Sequence, residues 1–139
     1  MKLTYLLWGY AYDDGIIRAF ETEGFQIEKI SFLQNGCLDN GVGKEWDFFK
    51  SAEEIKKILE IKLNNCSADI IFSVNFNAAV SEFCQQKKIP YCSWVLQLPN
   101  FDLYTKSVLN TCNYVGICDS YLVEKMWQLG VEKAYFLPD

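Results

Sequence analysis

The chain has no histidine. That removes the commonest general base at neutral pH and the commonest zinc ligand. It also removes the usual activator of a serine or cysteine nucleophile, and there is no Gly-x-Ser-x-Gly elbow. No Cys-x-x-Cys pair occurs, so no metal site is expected. Neither Gly-x-Gly-x-x-Gly nor Gly-Lys-Ser/Thr is present, so the two common phosphate-cradling motifs are missing. No basic run exceeds Lys87-Lys88, and the net charge is -5 with a pI of about 4.8. Nucleic acid and anionic membrane surfaces call for a concentrated positive face, so neither is an expected partner. The apolar runs fall well short of the ~20 residues that cross a bilayer, so no membrane span is expected. There are only three prolines, and no repeat, low-complexity stretch or internal linker.

What the chain does have is apolar bulk. Half of its 139 residues are hydrophobic, enough for one domain to bury a real core. Ten Phe, eight Tyr and four Trp are many for this length, and some of these rings are expected on a face that meets another domain. The six cysteines read as free thiols rather than a disulfide framework. Cys92 and Cys118 fall in buried-type strands, and Cys84 falls on the apolar face of a helix; free Cys is a good small core residue. Lys2 leads straight into a strand-like run with no small-residue cleavage site after it, so no secretory leader is expected. A reduced, cytoplasmic setting follows, in which the Asn65-Cys66-Ser67 sequon carries no glycan.

The apolar periodicity alternates between strand and helix. Strands are expected at 3–8, 25–32, 69–74, 91–96, 114–118 and 134–137, the second of them near an edge. A helix capped by Asp13 or Asp14 carries Ile16, Ile17 and Phe20 and stops at Gly24. Ser51 and Glu54 have capping-box spacing ahead of Ile55, Ile58, Leu59 and Leu63. Further helices carry Phe76, Ala79, Val80 and Phe83, then Leu122, Val123, Met126 and Leu129. Residues 99–110 are expected to contain a short helical turn, and 34–44 to form a long loop. The alternation predicts one three-layer α/β domain with a mostly parallel, Rossmann-like sheet of about six strands.

In such sheets ligands bind beyond the carboxyl ends of the strands. This singles out Gly9 and Asp13 after the first strand, Asn75 and Asn77 after the third, Gln97 after the fourth, and Asp119 and Ser120 after the fifth. Asn amides can bond sugar hydroxyls, although one of Asn75 and Asn77 is also placed to cap a helix, as is Asp13 or Asp14, and Asp119 or Ser120. Asp102 is the one candidate base, and Phe101 and Tyr104 could stack on a ring. Two acids at the first helix start would repel a phosphate.

The run from Asp69 to Asn77, Ile89-Pro-Tyr-Cys-Ser-Trp-Val95 with Leu98-Pro99 behind it, Cys118-Asp-Ser-Tyr121, Leu129-Gly-Val131 and Phe136-Leu-Pro138 resembles the N-terminal domain of spore-maturation-type (CgeB-like) GT-B glycosyltransferases. The resemblance covers about residues 69 to 138; the first half fits by its strand-helix pattern alone. It implies an acceptor-side domain, inactive without a C-terminal domain in cis that holds most contacts to a nucleotide-sugar co-substrate. The partners would be that domain and a glycan or other acceptor, with no cofactor in this domain. Members often carry Asp-Ser-Pro after the Ser-Trp strand; here Gln97-Leu98-Pro99 stands there, so the acid is missing unless Asp102 serves. The alternatives are a stand-alone flavodoxin-like or receiver-like binding module, or a non-catalytic interaction domain of a degenerate transferase. A receiver would need an Asp ending the third strand, where Asn75 stands.

Overall fold

The structure, a computed structural model, describes residues 1–32, 51–63 and 68–138. The expected 34–44 loop, Cys37 and the 65–67 sequon lie outside the described residues. Six strands, β1 (Lys2–Leu7), β2 (Gln26–Ser31), β3 (Ile70–Val74), β4 (Tyr91–Val95), β5 (Asn113–Ile117) and β6 (Ala134–Phe136), form one sheet. The order is β2-β1-β3-β4-β5-β6, and every neighbouring pair is parallel. The expectation of a mostly parallel sheet becomes a wholly parallel one, with β2 at an edge. The strand order reverses between β1 and β3.

The side-chain alternation within the strands splits the core in two. Leu3 and Tyr5 pack with Phe72, Val74 and Ile17 of α1 (Asp13–Thr22) on one face. Leu6, Ile71, Tyr91 and Val95 pack on the other with α2 (Ala52–Leu63), α3 (Ala78–Lys87) and α4 (Ser120–Gln128). Central β3 is buried nearly throughout because both of its faces are covered, whereas edge β2 is buried only at Ile30. Helices on both faces make the three-layer, Rossmann-like arrangement. Residues 99–110 hold two short 3-10 helices, Phe101–Tyr104 and Lys106–Leu109, in place of a single turn.

Two local expectations change. Neither Asp13 nor Asp14 caps α1 with its side chain; Tyr12 holds the N-cap position without a side-chain bond, and Asp13 turns into the core. At α2, Ser51 Oγ accepts from the Glu54 amide at 3.2 Å as the capping box requires. Glu54, however, accepts from the Ser51 hydroxyl at 3.1 Å, which closes a side-chain pair. Gly24 stops α1 at φ 95, a left-handed turn that glycine adopts because it has no Cβ.

Candidate functional site

The carboxyl ends of the strands are held by the chain's own polar side chains. After β1, Gly9 turns at φ 88 and the chain folds back over Asp13. The Asp13 carboxylate accepts from the Tyr5 hydroxyl at 2.7 Å and from the Tyr10 amide at 3.0 Å. Asp13 is 4% exposed, and this burial holds its carboxyl above the ordinary value of 3.8, with the Tyr5 bond pulling the other way. Burial and the bond to Asp13 push the Tyr5 phenol upward in turn, so it stays a donor.

A raised carboxyl binds its proton more tightly in the folded state. Its contribution to stability is therefore full below the unfolded value near 3.8 and is lost as pH rises through the folded value. Asp13→Asn should remove this part of the pH dependence, read as a flatter unfolding free energy in urea titrations above pH 3.8. An unchanged slope would show that Asp13 titrates as it does in the unfolded chain.

The turn after β3 and the segment after β4 are stitched together. Asn75 stands in the left-handed region at φ 65. Its Oδ1 accepts from the Leu96 and Gln97 amides at 3.0 and 3.1 Å, and its Nδ2 donates to Gln97 Oε1 at 3.1 Å. Asn100 clamps Phe76 from both sides: its Oδ1 accepts from the Phe76 amide at 2.8 Å, and its Nδ2 donates to the Phe76 carbonyl at 3.0 Å. Asp102 Oδ2 accepts from the Ala78 amide at 2.9 Å. Asn77 caps α3 through the Val80 amide.

Beneath this turn, Ser73 Oγ donates to the Asn75 carbonyl at 2.8 Å and lies 2.6 Å from the Tyr91 hydroxyl. Each hydroxyl has one proton. Ser73 spends its proton on Asn75, so Tyr91 donates to Ser73 and accepts from the Asn77 amide at 3.1 Å.

After β5, Asp119 accepts from the Tyr121 and Leu122 amides at 2.9 and 3.3 Å and so caps α4; Ser120 is exposed at the helix start. Replacing Asn77 or Asp119 by Ala should cost about 1 kcal/mol each, measured by chemical denaturation. Stability within error of the parent would mean these side chains are free of a structural role.

Of the candidate site residues, the structure therefore brings Asn75, Gln97 and Asp102 into one cluster with Asn77. Asp13 with Gly9 stands in a separate turn, and Asp119 with Ser120 in another. Sequence reading missed Asn100, Tyr5 and Tyr91, whose partners lie 24, 8 and 14 to 18 residues away. No local spacing marks such pairings.

The open space at this end is a groove of about 750 Å³ between residues 98–104 and α4. Leu98, Pro99 and Leu122 line its apolar part, Tyr104 and Tyr121 expose their rings to it, and Asp119 and Lys125 supply charge. Lys125 Nζ lies 5.2 Å from the Tyr121 ring centroid.

No family model and no curated protein matches the chain.

Among the described residues, Cys84, Cys92 and Cys112 are poor nucleophiles. Burial pushes the Cys92 thiol up to about 11 and also raises Cys84 and Cys112. No group of three or more metal-ligating side chains occurs among the described residues. No helix among them is long and apolar enough to cross a membrane.

Proposed function

We propose that this chain is the acceptor-side domain of a GT-B glycosyltransferase that moves a sugar from a nucleotide-sugar donor and needs a C-terminal domain in cis for activity. The observation that carries this reading is the use of the helix N-termini at the strand ends. The amides of Phe76, Asn77, Ala78 and Val80 at α3 all donate to the chain's own side chains, as do those of Tyr121 and Leu122 at α4. α1 opens with Asp13 and Asp14. A diphosphate is normally bound by free amides at a helix N-terminus. These amides at α3 and α4 are engaged and α1 presents acids, which supports a reading in which the donor's charge is held across an interdomain cleft.

The groove beside α4 suits the acceptor. Exposed rings of Tyr104 and Tyr121 can stack on a sugar face, and Asp119 and Lys125 can bond hydroxyls. Asp102 is committed to α3, so no general base is assigned within the described residues. The four free cysteines among the described residues fit the reduced, cytoplasmic setting proposed with this function. One observation favours the degenerate, non-catalytic variant of this reading: Gln97, where the resemblance calls for an acid, is tied to Asn75.

Amide-shift titration of the 139-residue chain tests the proposal. Oligosaccharides should shift resonances around Tyr104 and Tyr121, while UDP- and GDP-sugars should shift none. Stabilisation of this chain alone by a nucleotide sugar would overturn the reading in favour of a stand-alone binding module. Donor turnover by the two-domain protein separates the catalytic from the degenerate variant.

A further inference from the structure

We draw no further inference here: the strongest candidate, the apolar groove of about 560 Å³ on the face of β4, β5 and β6 beside α1, carries nothing because nothing among the described residues shows what covers it.

Discussion

Asn113→Ala should lower the unfolding free energy by about 3 kcal/mol. Asn113 opens β5 and is 3% exposed. Its Nδ2 donates to the Ser107 and Val108 carbonyls at 2.8 and 3.1 Å, and its Oδ1 accepts from the Ser81 hydroxyl at 2.7 Å. One amide thus ties α3, the Lys106–Leu109 turn and the sheet together in the core. Truncation opens a cavity and leaves the Val108 carbonyl without this donor in a place water does not reach. Ser107 loses less, because the freed Ser81 hydroxyl already lies 3.1 Å from its carbonyl. Asn113→Asp keeps the shape but replaces the two-proton donor with a carboxylate facing two carbonyls, so its loss should be at least as large at neutral pH. Urea denaturation measures both, and a loss below about 1 kcal/mol for Asn113→Ala would mean that the network contributes little.

Asn75→Ala should cost about 3 kcal/mol, and Asn75→Gly about 1 kcal/mol less. Both lose the bonds to the Leu96 and Gln97 amides. Only Ala must also hold φ 65 with a Cβ. The difference between the two variants therefore reads the backbone strain, and the loss in the Gly variant reads the side-chain bonds. Hydrogen exchange at Leu96 and Gln97 should speed up in both. If Gly were the worse substitute, or exchange at these amides did not change, the stitching between the β3 and β4 ends would not be what holds this turn. The strand-end groove borders the same 98–104 segment, so a loosened turn should also blur the Tyr104 side of it.

The fold was largely legible in the residues. Continuous apolar runs such as Ile70–Val74 mark strands buried on both faces, and helical spacing at Ile55, Ile58, Leu59 and Leu63 marks α2. A cap was readable at Asn75 or Asn77 and at Asp119 or Ser120, because a cap acts over three residues; the structure picks Asn77 and Asp119. Asp13 looked like another cap and is not one. Nothing in its neighbourhood announces that Tyr5, on the adjacent strand, will reach it in the core. Asp102 looked like a free acid, and its bond to the Ala78 amide spans 24 residues.

Sequence alone therefore determined what depends on local periodicity: the alternation of strands and helices and the parallel sheet it implies. Tertiary structure alone decided how the polar side chains are used, and which part of the sheet the described residues leave uncovered. Hydrogen bonds between strand-end turns depend on which strands become neighbours and in what register. That arrangement follows from the packing of the whole core rather than from any one segment. Asn75, Asn100 and Asp102 became clamps, and the faces of β4 to β6 beside α1 became a groove, only once the six strands had taken their order.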